Sequence, residues 1–397
     1  MPIRIALITP FPPIKSSIGQ YGYYLGKALS QTGKFSEITL LTQIAPGAGS
    51  FDGVLPFRVE RLWRVNRLDA TPKILSRLNQ IKPDLVWYNL GASVFGQSSL
   101  ANLAGLLSPG FTRRSGTPTV VTLHELIAQA DLETLQVPGG RLARWGASLI
   151  QHFYTQAGDV VCVTLKEHAR YLSRRNPNLE ITHIPHGAFF PPSLLADSPN
   201  PEILFFGYLA PFKGLELLLE AFQGLLLENS SVRLTIAGGE HPRFPGYMSR
   251  LRSAFQDNPA VRWLGYVPES GLMEMFGRAA VVVIPSLATT GSSSVLYRSA
   301  TWGRSIVCSD LPELRAIAEE EGLRIEFFPA GDVTWLKNSL QSLLRDPARR
   351  SEQARHNFQM IKNGLTLDHT CKRYLQAFNR ALEKRNSRFR IPMTEPA

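Results

Sequence analysis

The chain has 397 residues, 44% of them apolar and 19% charged. That length exceeds what one hydrophobic core usually organises, and that balance excludes a disordered chain, so two globular domains are expected. The formal net charge of +11 favours partners that carry phosphate, and with no basic-aromatic stripe nucleic acid is not expected among them.

Taken from the start, "MPIRIALITPFPP" reads as a first strand closed by prolines rather than as a signal peptide, since its apolar stretch is short and lacks a small-residue cleavage site. The runs "EITLLTQ", "LVWYNL", "PTVVTLH", "VVCVTL" and "ITHIPHG" read as further strands of the first half. Between them lie amphipathic stretches such as "GYYLGKALSQTG" and "RLARWGASLIQHFYTQAG". A seam follows at residues 187–202, "GAFFPPSLLADSPNPE", with four prolines and little periodicity. In the second half, "EILFFGYL", "VRLTIAGG", "VRWLGYV", "VVVIPS", "SIVCSD" and "RIEFFP" repeat the strand pattern. Strands that alternate with helices and are apolar throughout predict parallel sheets covered on both faces. The expected organisation is therefore two Rossmann-like, doubly wound α/β domains facing a cleft, 1–190 and 201–365, with an amphipathic helix at 366–385 crossing back to the first. Ligands of such sheets bind at the carboxyl ends of the strands.

The three cysteines, Cys162, Cys308 and Cys371, lie too far apart in the chain for a zinc motif or a disulfide framework, which fits a reducing cytoplasm. No apolar run approaches the roughly 18 residues of a membrane span. With the positive charge, this predicts at most a peripheral contact with an anionic membrane surface.

Two strand-to-helix junctions carry the chemistry. In "FFGYLAPFKGLELLLEAF", Lys213 and Gly214 open a helix after a strand. An ammonium there adds a full charge to the partial charge of the helix N-terminus and suits a phosphate; the alternative is a solvated lysine. In "PSLATTGSSSVLYRSATWGRSIVCSD", five of the six residues 289–294 carry a hydroxyl, and Gly291 lies among them. Backbone N–H groups and hydroxyls at Thr290, Gly291, Ser292, Ser293 and Ser294 suit an anion at the next helix start. The alternatives are a surface loop or ordinary helix caps.

These segments resemble the GT-B retaining glycosyltransferases of family 4, the "glycosyl transferases group 1" type. "GYLAPFKGLELLLEAF", "LTIAGG", "VRWLGYVPESGLMEMFGRAAVVVIPS" and "WGRSIVCSDLPELRAI" follow in that family's order and spacing, and "IALITPFPPIKSSIGQYGYYLGKAL" is similar to its first strand, glycine loop and helix. The closing "LTLDHTCKRYLQAF" is similar to its crossing helix. The resemblance implies transfer of a sugar from a nucleoside diphosphate sugar to an acceptor with retained configuration, with no metal or other cofactor. It implies that Lys213 meets the diphosphate, that Gly19 sits in the loop approaching it from the first domain, that His124 lies near the donor sugar, and that the base lies against Gly239 and Tyr266. The acceptor is a glycan, a lipid-linked or a small molecule. The pattern also departs from the family. The usual paired glutamates fall at Thr290 and Arg298, and a phosphate-binding arginine at Tyr208. A guanidinium only donates hydrogen bonds, so Arg298 cannot do an acid's work on a ribose diol. A nucleotide-sugar-binding protein without transfer activity is therefore the alternative expectation.

Overall fold

The computed structural model describes residues 3–391 and 393 apart from 92, 97, 127–128, 138–139, 256–257, 290 and 387–389. The chain divides into two compact units. The first comprises Met1–Leu132, Val137–Phe189 and Leu367–Ala397, and the second Glu133–Gln136 and Phe190–Thr366.

The first unit is built on a parallel seven-stranded sheet, β1 (Ile3–Ile8), β2 (Phe35–Gln43), β3 (Arg58–Trp63), β4 (Leu85–Leu90), β5 (Thr119–Leu123), β6 (Val160–Val163) and β7 (Glu180–His183). Its spatial order is β3-β2-β1-β4-β5-β6-β7. Every residue of β4, β5 and β6 is buried, as expected of strands covered on both faces. Among the described residues, the edge strand β3, "RVERLW", is the one strand the sequence reading omits. It carries three charged residues in six, Arg58, Glu60 and Arg61, it is at least partly exposed until Trp63, and Glu60 pairs with Arg77 of the helix Ala70–Ile81.

The helix Leu367–Lys384 belongs to this unit. Tyr21 Oη donates to Tyr374 Oη at 3.0 Å, and Thr122 Oγ1 lies 3.0 Å from the same oxygen. Trp87 Nε1 donates to Thr122 Oγ1 at 2.8 Å. The rings of Tyr374 and Phe378 pack against Trp87. Complete burial of each such aromatic side chain is worth about 1.5–3 kcal/mol.

The second unit repeats the architecture with β8 (Glu202–Phe206), β9 (Arg233–Ala237), β10 (Val261–Gly265), β11 (Val281–Ile284), β12 (Ser305–Ser309) and β13 (Glu326–Phe328). All are parallel, in the order β10-β9-β8-β11-β12-β13. The helix Leu215–Glu228 buries Leu215, Leu218, Leu219, Phe222 and Leu225, the stripe a 3.6-residue repeat presents to a sheet. Residues of the seam are anchored here: Arg304 is buried and donates to the carbonyls of Leu195 and Ala196 at 2.7 Å each, and Arg350 pairs with Asp197 at 2.7 Å.

Candidate functional site

In each sheet the winding direction reverses between two neighbours, β1 and β4 in the first, β8 and β11 in the second. Such a reversal leaves a crevice at the carboxyl ends of the strands.

In the second unit the two junctions singled out by sequence meet there. Lys213 closes a 3-10 turn, Pro211–Lys213, and Gly214 caps the following helix with φ of 69°. The helix therefore starts at Leu215, one residue later than "KG" suggests, because Gly214 is left-handed. The turn is bonded to the loop after β11: Leu287 N donates to Phe212 O at 2.8 Å. The loops after β9 and β10 join the same end. Gly238 N donates to Gly265 O at 2.7 Å, and Leu209 N to Gly239 O at 2.9 Å. A Cβ on Gly238 would lie 1.7 Å from Gly207 O, so this close approach of backbones requires a glycine.

Tyr208, Gly239 and Tyr266 lie together on these loops. Burial raises the pKa of the Tyr208 phenol, and neighbouring Tyr266 adds to the effect; Tyr266 is itself exposed. His241, which sequence reasoning missed, packs its ring 6.1 Å from that of Tyr208 and 5.8 Å from that of Phe212. Burial, then the charges of Arg243 and Lys213, push its pKa down to about 4, so it is neutral at neutral pH. No local motif announces it; it follows a strand-end glycine pair and becomes visible only when the loops are assembled.

In the hydroxyl-rich loop, Thr290 lies outside the described residues. Thr289 Oγ1 donates to Gly291 O at 3.0 Å and accepts from Gly291 N at 3.4 Å. The Gly291 N–H is therefore engaged inside the loop. Ser293 is the N-cap of the helix Ser294–Thr301 but makes no side-chain capping bond. Ser292 Oγ is buried without a hydrogen-bond partner among the described residues. Helix capping therefore does not account for these two hydroxyls.

Arg298 is held against two aromatic rings. It is buried, with its guanidinium carbon 5.2 Å from the ring centre of Phe206 and 5.7 Å from that of Phe190. Cation–π attraction at such a desolvated site supplies about 2 kcal/mol and accounts for a cation where resemblance places an acid.

In the first unit, His124 follows β5 and is buried. Its Nε2 lies 2.6 Å from Asn89 Oδ1 on β4, and its ring meets the edge of Tyr21 at 4.8 Å. Burial, then His186, pushes its pKa down to about 3. His186, which follows β7, shares the Tyr21 ring at 5.3 Å. Gly19 does not sit in a loop. Ser16 caps the helix Ser17–Gln31 by accepting from Gly19 N at 3.3 Å, so Gly19 belongs to its first turn. A Cβ there would lie 3.2 Å from Pro10 O. Among the described residues no group of three or more His, Cys, Asp or Glu gathers as a metal-ligand set, and no helix is long and apolar enough to cross a membrane.

Comparison with known proteins agrees with this architecture. Residues 200–346 match the family model described as "Glycosyl transferases group 1", so the second unit carries a domain of that type. No curated protein matches the chain. Its fold is similar to that of sucrose-phosphate synthase from Thermosynechococcus elongatus, at 17% identity and a TM-score of 0.74 over 96% of this chain and 100% of that one. It is similar to HepE from Anabaena in complex with UDP and glucose, at 13% identity and 0.70 over 94% and 98%. It is also similar to trehalose 6-phosphate synthase from Burkholderia multivorans, at 14% identity and 0.68 over 97% and 98%. The chain has the GT-B fold.

Proposed function

We propose that this glycosyltransferase moves a sugar from a nucleoside diphosphate sugar to a glycan, lipid-linked or small-molecule acceptor, with retention and without a bound metal. The observation that carries the reading is the junction of Lys213 and the hydroxyl-rich loop: the turn bearing the lysine is hydrogen-bonded to the loop after β11, at the carboxyl end of the sheet. As the bond to the sugar breaks, negative charge develops on the diphosphate. A fixed ammonium and a helix N-terminus with serine hydroxyls meet that charge without reorganising. Tyr208, Gly239 and Tyr266 supply the base and ribose side of the donor site in the second unit; the family resemblance assigns His124 to the donor sugar. Arg298 cannot accept hydrogen bonds from the ribose diol, so other groups must do so.

The test is a thermal-shift series with UDP, GDP, ADP and dTDP and their sugar conjugates, followed by product analysis with the conjugate that binds. UDP comes first, because HepE, whose fold is similar, was solved with it. A nucleotide at 100 times its Kd adds about 2.7 kcal/mol of stability. Stabilisation by none of the four removes the reading. Binding without hydrolysis or transfer in the presence of acceptors establishes the alternative, a nucleotide-sugar-binding protein.

A peripheral contact with anionic lipid rests on a separate observation. Leu100, Phe111 and Phe153 expose apolar side chains, and Arg113 Nη1, on the helix bearing Phe111, donates at 2.8 Å to Gln156 O, just past the end of the helix bearing Phe153. Arg114 is exposed beside them. Sedimentation with anionic but not neutral vesicles at low salt is expected; equal recovery on both, or on neither, removes it.

A further inference from the structure

Asn89 stands at the junction of three elements at the carboxyl end of the first sheet, and the hydrogen-bond inventory around it admits one solution. Thr9 Oγ1, just after β1, donates its single proton to Pro10 O at 3.0 Å. Towards any further neighbour that hydroxyl can only accept. Ile18 O, in the first turn of the helix Ser17–Gln31, is a carbonyl and also only accepts. Asn89 Nδ2 reaches both, at 2.8 Å and 3.1 Å. Two acceptors thus settle which way the amide points, and Oδ1 faces His124 Nε2 at 2.6 Å. An amide oxygen has no proton to give, so Nε2 carries the proton of that bond.

Glycines hold these partners in reach. A Cβ on Gly22 would lie 2.4 Å from Thr9 Oγ1, and one on Gly91 2.2 Å from Ile18 Cδ1. The helix Ser17–Gln31 can approach β1 and the end of β4 this closely only because both positions lack a side chain. The ring of His124 is further confined by the edge of Tyr21, from the same helix, and faces His186, which follows β7.

From this network we propose that Asn89 is a positioning residue that holds His124 in its Nε2-protonated tautomer and so makes its Nδ1 a hydrogen-bond acceptor. The surroundings of the ring disfavour a second proton, so the imidazole is neutral at neutral pH. His124 then recognises a group that brings a proton, a hydroxyl or an amide N–H. A phosphate oxygen, ionised and acceptor-only, has no partner on that nitrogen. This deepens the proposed function and rests on it for the identity of the ligand: His124 meets a hydroxyl of the sugar and not the diphosphate. It also excludes His124 as a proton donor to the leaving group through Nδ1.

The experiment is nitrogen NMR on the full chain labelled with ¹⁵N-histidine, without substrate, with His124 assigned by the signals lost in His124→Gln. At pH 7 the expected result is a pyrrole-type Nε2 and a pyridine-type Nδ1, unchanged down to pH 5. Asn89→Asp places a carboxylate against Nε2 and is expected to raise the titration midpoint of His124 by about 1–3 pH units, as an opposite charge at this distance does. A substitution that only loosened packing would not move it in that direction. A proton on Nδ1, a charged ring at pH 7, or an unchanged midpoint in folded Asn89→Asp overturns the inference; should that variant not fold, the wild-type spectrum still decides. The expected tautomer in a protein that binds no nucleotide would support the assignment of Asn89 and overturn the proposed function instead.

Discussion

A Cβ atom on Gly214 would lie 1.9 Å from the carbonyl oxygen of Pro285, so the turn after β8 and the loop after β11 are brought together at a position where only glycine fits. Gly214 also has φ of 69°. Gly214→Ala is expected to lose about 2–5 kcal/mol, combining about 1–2 for a left-handed alanine and about 1–3 for overpacking. Denaturant unfolding checks this. A loss within 0.5 kcal/mol of zero would mean that the two loops are not in contact.

The same contact orders the donor-site substitutions. Lys213→Ala is expected to lower kcat/KM for the donor by about 10², or about 3 kcal/mol of transition-state stabilisation. Ser292→Ala, Ser293→Ala and Ser294→Ala each remove one neutral hydrogen bond, about 0.5–1.5 kcal/mol, and should weaken nucleotide binding by about tenfold or less. Gly291→Val adds a β-branched side chain inside the loop cinched by Thr289 and should abolish binding. Calorimetric titration of the four loop variants separates these outcomes. Normal binding by folded Gly291→Val would return 289–294 to the status of a surface loop.

Arg298 offers the opposite test, since resemblance to the family would tempt one to restore its acid. Arg298→Glu sets a carboxylate against the faces of Phe190 and Phe206. The lost cation–π attraction and the buried charge are expected to cost more than about 3 kcal/mol together. Arg298→Met, apolar and flexible, should cost less. A Glu variant as stable as wild type, with tighter donor binding, would place residue 298 in the ligand site.

Acidification should weaken the fold before the carboxylates titrate. His168, His183 and His241 have pKa values pushed down to about 4, and His124 to about 3, each chiefly by burial. Between the unfolded value near 6.5 and these lower values, the unfolded chain binds more protons, so stability present above about pH 6.5 is lost as pH falls towards 4. Unfolding midpoints from pH 7.5 to 4.5 measure it. A flat profile down to pH 5 would mean that these histidines are not buried as described.

Much of this protein is determined by short-range pattern. Twelve of the thirteen strands among the described residues are legible because they are apolar runs bounded by glycine, proline or charge. β3 is not, because this partly solvated edge strand carries the charged residues Arg58, Glu60 and Arg61 and so lacks a continuous apolar run. The positions of Lys213 and of the hydroxyl-rich loop are legible too, since each lies at a local switch from strand to helix. Tertiary structure alone decides what these residues meet. Thr9, Asn89 and His124 come from three segments that are remote in sequence and adjacent only because β1, β4 and β5 are neighbours in the sheet. His241 joins Tyr208 through backbone pairing between the loops after β8 and β9. Arg298 is explained by Phe190 and Phe206, which no spacing rule connects to it, and Gly19 is in a helix because Ser16 caps it. Periodicity reports which face of an element is buried. The pairing of side chains across elements depends on strand order and on close backbone approaches at glycines, and those arise only when the whole sheet has formed.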